Sequence, residues 1–352
     1  PVFAAFAGFT HDDIREMLAH YRAHAGFAFD EAAVFETMRR WYDNYRFSPE
    51  TGSDGREPPC VANPTLVLYY MQYFLQNHKP QPDFVDENLR TDYMKIRHII
   101  TEGRKINGNF HRLEDIVARL GATATLRKSF QAKELGIADN FISFLFYNGL
   151  VTVTGEDFGQ STLGIPNLTV GEFMHDFVPK AYQDINGIDP RIFDIANGMT
   201  DFARRGDWRT PLETAAGVVS RYWKVRDALE GERVVQTALC SLLYVGHGPY
   251  IVRHEQESAV GFVDIAFEPQ LNRWPQIGHA ALVELKYLKA EDDASPAALV
   301  RVKAAAAEQL ARYAADHDLA RAWNLKESGG TVTLHRIAVV FHGGDVALCE
   351  EI

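Results

Sequence analysis

The sequence contains few cysteines, and they do not cluster. Cys60, Cys240 and Cys349 are the three cysteines among 352 residues, and they lie far apart. Because zinc sites and disulfide frameworks need cysteines at characteristic spacings, neither is indicated here. Cys240 falls on the apolar face of a predicted helix, where a free cysteine usually packs in the core. We therefore expect Cys240 to be a buried core residue.

Long apolar runs are also missing. No stretch approaches the roughly 20 apolar residues that are needed to cross a bilayer, and no secretory signal precedes Gly8. These two absences predict a protein without a membrane partner and with a cytoplasmic location.

Positive charge is in deficit, since 36 Lys and Arg residues face 47 Asp and Glu residues, giving a net charge of −11. Nucleic-acid binding is driven mainly by contacts of Lys and Arg with phosphates, so this balance opposes generic binding. Basic residues cluster at 90–104, 119–133 and 204–209, and each cluster is interpreted as a solvated helix face, with contact to DNA as the alternative. The negative net charge is only a limited objection to nucleic-acid binding, because a metal site is itself acidic.

No phosphate loop of the form Gly-x-x-x-x-Gly-Lys-Ser/Thr occurs in the chain. The backbone cradle and the lysine that hold ATP phosphates are therefore missing. We expect no ATP site in this chain, and no residue is assigned to binding an organic cofactor.

Two apolar segments carry polar groups of a catalytic type. Asp264 lies within the run 261–268, and Glu284 and Lys286 lie two residues apart within 280–288. A strand directs residues two apart to the same face. Because the loop-like segment 269–278 joins the two runs, they are predicted to form neighbouring antiparallel strands. Two carboxylates and one ammonium then converge, a set that suits Mg²⁺ or Mn²⁺ and a lysine that orients or polarises the attacking water.

An alternative interpretation places Glu284 and Lys286 on a solvated strand face, as a surface ion pair that contributes little. The flanking residues 280–283 and 285–288 are apolar almost throughout, as in a central strand covered on both faces. Charged residues in such a strand indicate a functional site.

Further polar residues flank these strands. Segment 297–315 has a helical period and places Gln309 and Tyr313 on one face, where they could hold a nucleic-acid backbone or brace the lysine. Glu232 opens the apolar helix 233–244, and Glu257 ends a strand predicted over 250–257. The predicted order is helix, three strands, helix and then a strand over 331–341.

This order, with the Asp, Glu-x-Lys and Gln-x-x-x-Tyr motifs, resembles the PD-(D/E)XK nuclease superfamily, in its RecB-like branch, over residues 216–352. The resemblance implies a restriction-endonuclease-like mixed sheet flanked by helices and a Mg²⁺-dependent phosphodiesterase acting on nucleic acid, with DNA preferred. It implies that Asp264 and Glu284 bind the metal. The implied catalytic residues are Asp264, Glu284, Lys286 and Glu232, and the implied substrate-binding or supporting residues are Gln309, Tyr313 and Glu257.

The N-terminal half resembles the end of an AAA-ATPase-like region that precedes such a nuclease domain in a bacterial family. The motifs that carry this resemblance are Gly8-Phe-Thr10, 41–47, Val61-Ala-Asn63-Pro64, 141–152 and Gly164-Ile-Pro-Asn167. It implies a helical segment at 1–80, a helical, winged-helix-like middle domain at 81–215 and the nuclease-like domain at 216–352. The expected class is α/β, or α+β overall. Because the phosphate loop is missing, we expect an N-terminally shortened polypeptide whose full-length protein contains an intact ATPase region.

Local signals predict several elements of the first half. Thr10, Asp30 and Asn63 are predicted helix N-caps, with Pro64 at the first position of its helix. Further helices are predicted at 92–102, 111–120, 138–147, 173–183, 192–204 and 211–229, and a strand pair is predicted at 151–153 and 161–164. One departure from the family concerns the residues before Asp264, since Phe262 and Val263 stand where a basic residue is usual. The local substrate contact therefore stays open.

Two classes of function remain. The first is a metal-dependent nuclease in which Glu232 supports the site directly or through water. The second is a regulatory or partner-binding module attached to an ATPase, in which the fold is kept and catalysis is minor. The complete set of Asp, Glu, Lys, Gln and Tyr residues favours the nuclease.

Overall fold

The structure is a computed structural model. It describes residues 8–48, 59–81, 84–85, 109–119, 121–225, 232–244, 248–258 and 261–352. The predicted helix at 92–102 and the basic cluster at 90–104 lie outside these residues. The chain divides into two compact units, Pro1–Met174 and His175–Ile352. The division into 1–80, 81–215 and 216–352 stays a prediction.

Both units contain helices and strands. The helices of the described residues are α1 (His11–His24), α2 (Glu31–Tyr42), α3 (Pro64–Asn77), α4 (Asn109–Arg119), α5 (Ala138–Tyr147), α6 (Leu168–Asn186), α7 (Ile192–Arg205), α8 (Arg209–Val225), α9 (Glu232–Leu243), α10 (Pro296–Ala314) and α11 (His317–Ala322). The strands are β1 (Gly121–Ala124), β2 (Thr152–Asp157), β3 (Gln160–Gly164), β4 (Tyr250–Ser258), β5 (Gly261–Pro269), β6 (His279–Leu288), β7 (Thr333–His342) and β8 (Asp345–Glu351). None of the described helices is long and apolar enough to cross a bilayer.

The first three helices begin where the capping residues predict. Thr10 forms a capping box with Asp13, since the Thr10 hydroxyl accepts from the Asp13 N–H and the Asp13 carboxylate accepts from the Thr10 N–H. The Asp30 carboxylate accepts from the first-turn N–H groups of α2, and Asn63 caps α3 with Pro64 at its first position. These side chains satisfy N–H groups that have no partner inside the helix. The three predicted N-caps are confirmed.

A three-stranded antiparallel sheet lies next to α4 and α5 in the order β1-β3-β2. The predicted pairing of β2 with β3 is confirmed, and the winged-helix-like character of the middle domain stays a prediction. Strand β1 was not predicted, because its sequence Gly-Ala-Thr-Ala is short and has little β-propensity. Gly121 pairs with Gly164, and a Cβ at Gly121 would lie 2.2 Å from the Leu163 carbonyl oxygen, so only glycine fits there.

The second unit contains a five-stranded mixed sheet in the order β4-β5-β6-β7-β8. All neighbours pair antiparallel except β6 and β7, which are parallel and are connected through α10. The predicted antiparallel pairing of the Asp264 and Glu284 strands is confirmed, and β6 pairs in parallel with β7, the strand after α10. The mixed sheet with flanking helices is the expected restriction-endonuclease-like fold.

Strand β6 runs through the core of this unit. Its residues from Ala280 to Leu285 are almost completely buried, as expected of a central strand covered on both faces. Helix α10 contributes Ala306, Leu310 and Tyr313 to the buried residues. Cys240 on α9 is also fully buried, which confirms it as a core residue. The apolar residues on both faces of β6 therefore fix the position of any polar side chain within it.

Candidate active site

The two carboxylates of the predicted site lie where the β5–β6 ladder stops. The paired residues are Phe267–Ala281, Ala266–Leu282 and Ile265–Val283. The next positions in this register are Asp264 and Glu284. Directly opposed residues of an antiparallel pair point to the same face of the sheet. The register therefore brings the two carboxylates, twenty positions apart in sequence, to one place.

Beyond the last backbone pair of the β5–β6 ladder, Asp264 accepts hydrogen bonds from β6 and from α9. The backbone N–H of Leu285 donates to the Asp264 carboxylate (N–Oδ2 2.8 Å). Gln236 on α9 donates from Nε2 to the Asp264 carbonyl oxygen at 2.8 Å and to its Oδ1 at 3.4 Å. The carboxylate is thus held by two donors from different elements. Sequence reasoning missed Gln236, although it lies four residues after Glu232 and so on the same helical face.

Glu284 is a buried carboxylate with one oxygen paired and one not. Its side chain is 2% exposed, and Oε1 accepts from the Lys286 ammonium (Nζ–Oε1 2.7 Å). Among the described residues, its other oxygen, Oε2, is buried without a hydrogen-bond donor. A buried acceptor without a partner destabilises the folded state by about 1–3 kcal/mol. The burial of Glu284 excludes the solvated strand face and the surface ion pair considered above.

Burial and mutual repulsion raise the pKa values of the two carboxylates. Burial, followed by the charge of Glu284, raises the pKa of Asp264 from 3.8 to about 7, although the Leu285 N–H and the Lys286 charge oppose the shift. Burial also raises the pKa of Glu284, against the opposing hydrogen bond from Lys286. A bound cation would favour the ionised form of both groups.

Lys286 stays charged beside these carboxylates. Burial lowers the pKa of Lys286, but the hydrogen bond and charge of Glu284, together with the charge of Asp264, outweigh it and raise the pKa overall. Its nitrogen is therefore an ammonium at neutral pH, which can donate hydrogen bonds but cannot accept a proton.

Glu232 and Tyr313 surround this centre. Glu232 is exposed at the start of α9 and accepts from the Tyr287 backbone N–H at 3.3 Å, and its charge adds to the repulsion on both carboxylates. Tyr313 is buried on α10. Burial, and then the charges of Glu284 and Asp264, raise the pKa of its hydroxyl. Both residues therefore lie within electrostatic reach of the carboxylate pair.

The remaining predicted residues are less closely tied to the centre. Gln309 is half-buried on α10, one turn before Tyr313. Glu257 pairs with Phe262 in the β4–β5 ladder, and its side chain lies outside the described part of the chain. Sequence reasoning also missed Arg312 on α10, whose charge lowers the pKa of Glu284. The charge of Arg312 partly offsets the negative charge at the centre.

Comparison with known proteins identifies the surrounding domain. A family model of the PD-(D/E)XK nuclease superfamily matches residues 230–351, about a third of the chain. Residues 230–351 form a PD-(D/E)XK nuclease superfamily domain. No curated protein and no solved structure matches the chain significantly.

The PD-(D/E)XK domain includes the five-stranded sheet, Glu232, Asp264, Glu284 and Lys286. Domains of this superfamily are typically nucleases that use divalent metals. The match begins at residue 230, so it does not reach the N-terminal half. The resemblance of that half to an AAA-ATPase-like region finds no support in the comparisons and stays a prediction.

The residues of the PD-(D/E)XK domain fit a divalent metal of the magnesium type. Asp264 and Glu284 supply hard oxygen ligands, and the buried Oε2 of Glu284 is an acceptor that a cation would satisfy. No group of three or more His, Cys, Asp and Glu side chains in the described ranges could hold a metal. The fit is therefore to an ion with two carboxylate ligands and further oxygen ligands from water or phosphate, and Glu232 would act through water.

The raised carboxylate pKa values predict how the stability of the metal-free protein depends on pH. A carboxyl whose folded-state pKa lies above its unfolded value destabilises the folded state as pH rises through that interval. For Asp264 the interval runs from 3.8 to about 7, and Glu284 shifts in the same direction. We expect the metal-free protein to lose roughly 2–4 kcal/mol of unfolding free energy between pH 4 and pH 8 through Asp264.

Urea unfolding with EDTA across this pH range tests the expectation. Asp264→Asn keeps an acceptor for the Leu285 N–H and removes the charge, so its stability should fall less with pH than that of the wild type. Glu308→Gln, an exposed change on α10, should follow the wild-type profile. Parallel profiles for Asp264→Asn and the wild type would show that Asp264 is not destabilised by ionisation.

Proposed function

We propose that the PD-(D/E)XK domain is a metal-dependent nuclease that hydrolyses phosphodiester bonds of nucleic acid, with DNA as the preferred substrate. The observation that carries the proposal is the environment of Glu284. This buried glutamate lies opposite Asp264. One of its carboxylate oxygens accepts from Lys286, and the other has no hydrogen-bond donor among the described residues. A structural role alone would not account for an unsatisfied acceptor in the centre of the sheet.

Each side chain has a distinct role in this proposal. Asp264 and Glu284 would hold Mg²⁺ or Mn²⁺, which when bound stabilises charge on the phosphate and raises the acidity of water. Gln236 and the Leu285 N–H orient the Asp264 carboxylate. Lys286, held as an ammonium by Glu284, donates to the attacking water or to a phosphate oxygen. Because Lys286 stays charged, it orients the attacking water and stabilises negative charge on the phosphate. It cannot take the proton of that water, so another group must accept this proton.

The roles of the supporting residues are inferred from their positions. Glu232 supports the centre through water, and Tyr313 and Gln309 lie on the α10 face that borders it. Glu257 is proposed as a supporting residue because of its position in the sequence. The cytoplasmic location, the bacterial origin and a link to an ATPase region in a longer protein are further expectations of this proposal.

The alternative of a regulatory or partner-binding module makes a different prediction for the centre. Such a module needs its fold but not a buried, charged pair of carboxylates, which destabilises the fold at neutral pH. The alternative therefore predicts that replacing the carboxylates by neutral residues leaves function intact, whereas the nuclease proposal predicts a loss.

The direct test is a cleavage assay with end-labelled DNA and RNA, each single-stranded and double-stranded, in Mg²⁺, in Mn²⁺ and in EDTA. The proposal expects cleavage with either metal and none with EDTA. Glu308→Gln serves as the matched control for Glu284→Gln, because both remove one carboxylate charge and Glu308 is exposed. Undiminished cleavage in EDTA, or no cleavage of any of the four substrates with metal, would reject the proposal and favour the partner-binding module.

A further inference from the structure

An exposed aromatic residue lies beside the carboxylates. Phe262 on β5 is 59% exposed and stands two residues before Asp264. The β4–β5 register is the same at His254–Ile265 and at Glu257–Phe262, on either side of Asp264. Alternation along the strand therefore places Phe262 and Asp264 on the same face. Their Cα atoms are about 7 Å apart along the strand.

Burial along β5 agrees with this assignment. Val263 and Ile265, which point to the opposite face, are completely buried, whereas Phe262 is exposed and Asp264 is partly buried. A single exposed apolar residue needs no explanation by itself. Phe262 differs from other exposed residues because it shares a strand face with a carboxylate of the candidate active site.

The aromatic ring of Tyr313 lies on the other face of β5, at the start of the strand. Gly261 has φ +138°, and a Cβ at this position would lie 3.4 Å from Cε1 and 3.5 Å from the hydroxyl of Tyr313. The Tyr313 ring therefore lies against the backbone of the residue that precedes Phe262. The charges of Asp264 and Glu284 reach the same tyrosine. Phe262 is therefore the exposed aromatic residue on the Asp264 face of β5, whereas Tyr313 covers the opposite face of the strand at this position.

The charge of the protein determines which form of nucleic acid the exposed ring of Phe262 can bind. Duplex nucleic acid is held mainly by Lys and Arg contacts with phosphates, but the chain has a net charge of −11. In this unit Arg209, Arg253, Lys286 and Lys303 all form ion pairs with glutamates. Stacking of a base on an aromatic ring needs no cation, and every base offers a π face. An acidic domain with an exposed ring at its site is therefore better suited to an unpaired base than to a duplex.

We propose that Phe262 is a stacking platform for an unpaired base of the substrate, so that the site takes single-stranded nucleic acid. The proposal rests on the proposed nuclease function and adds its substrate class. A base within a duplex is stacked on its neighbours and has no free face, whereas a base in a single strand can lie on Phe262. The phosphate next to that base then lies near Asp264 and Glu284. DNA and RNA share the base face that Phe262 contacts.

Binding to oligonucleotides that contain 2-aminopurine tests the proposal without requiring cleavage, since stacking quenches the fluorescence of this base. Titrations of the full chain in EDTA would use DNA and RNA oligonucleotides, each single-stranded and annealed to a complement. We expect Phe262→Ala to weaken single-strand binding by about 5- to 100-fold, which corresponds to the loss of one stacked base. Phe262→Trp should bind within about threefold of the wild type and keep the quenching.

Two controls separate stacking from general effects. Phe262→Leu keeps an apolar side chain without a π system and should behave like Phe262→Ala. Phe193→Ala removes another exposed phenylalanine of the same unit, which is 77% exposed at the start of α7, and should leave binding unchanged. The proposal is overturned if Phe262→Ala binds single strands like the wild type, if Phe262→Leu retains full affinity, or if the wild type binds duplexes more tightly than single strands.

Cleavage kinetics distinguish this proposal from the nuclease function itself. With metal, Phe262→Ala should raise KM for single-stranded substrate by a factor similar to the loss of affinity, while kcat changes little. Metal-dependent cleavage that is insensitive to Phe262 would reject the stacking platform and keep the nuclease. Binding that depends on Phe262 without any cleavage would reject the nuclease and keep the stacking platform. If the single strand is not bound at all, the stacking proposal fails.

Discussion

Glu284→Gln is expected to reduce metal-dependent cleavage by about 1,000-fold or more, because a metal ion supplies several kcal/mol of transition-state stabilisation and this change removes a charged ligand. Asp264→Asn should have an effect of similar size. Both changes preserve the shape of the side chain, so they separate loss of the ligand from loss of the fold. The measurements are cleavage rates and calorimetric titration with Mn²⁺.

The fold control for these variants follows from the electrostatics of the site. Without metal, Asp264→Asn and Glu284→Gln should be at least as stable as the wild type at pH 8, since each removes a charge whose ionisation is opposed by burial. A variant that is inactive but equally stable has lost its chemistry and not its structure. Mn²⁺ affinity that is undiminished in the Asp264→Asn, Glu284→Gln double variant would exclude the proposed metal site.

Lys286→Met is the second change with a large expected effect. It keeps the aliphatic packing of the side chain and removes the ammonium that donates to Glu284 at 2.7 Å. We expect cleavage to fall by about 100- to 1,000-fold, a loss typical of removing one electrostatic donor from a catalytic centre. Mn²⁺ binding should be retained, because both carboxylates remain.

The metal dependence of stability adds a readout for Lys286 besides activity. Without its ammonium, the buried Glu284 loses a neutralising partner, so the metal-free variant should be destabilised at neutral pH, and Mn²⁺ should restore stability. Lys303→Met is the matched control, because Lys303 pairs with Glu350 at a more exposed site and should matter little. Cleavage by Lys286→Met at the wild-type rate would remove Lys286 from the proposed site.

The elements that could be predicted from the sequence are those with local causes. Thr10, Asp30 and Asn63 mark helix starts because their side chains accept from N–H groups only two or three residues away. The apolar runs around Asp264 and Glu284, joined by a short loop, predict an antiparallel pair for the same reason.

Elements that depend on distant partners could not be predicted. Strand β1 forms because Gly121 can approach Gly164, forty-three positions later in the sequence, and its own residues give little signal. Strand β8, in contrast, pairs with β7 directly across Gly343 and Gly344, and its own signal is weak because both of its ends are exposed. In both cases the partner strand, and not the local sequence, stabilises the extended backbone.

The candidate site shows the same limit. The spacing of Glu284 and Lys286 predicts that they share a strand face, and the structure brings them within hydrogen-bond distance. The spacing does not reveal that the β5–β6 ladder ends at Asp264, that Gln236 reaches this residue from α9, or that one oxygen of Glu284 is buried without a donor. Those features depend on strand register and helix packing, which involve residues far apart in the chain.

Asp264 and Glu284 are proposed to share one divalent ion, and the anomalous signal of Mn²⁺ soaked into crystals of the protein tests this directly. A shared metal site predicts one strong peak bound by Asp264 and by Oε2 of Glu284 at about 2 Å from each oxygen, with Lys286 still on Oε1. A fully occupied Mn²⁺ at another place, or carboxylates more than about 10 Å apart in the soaked crystal, would contradict it.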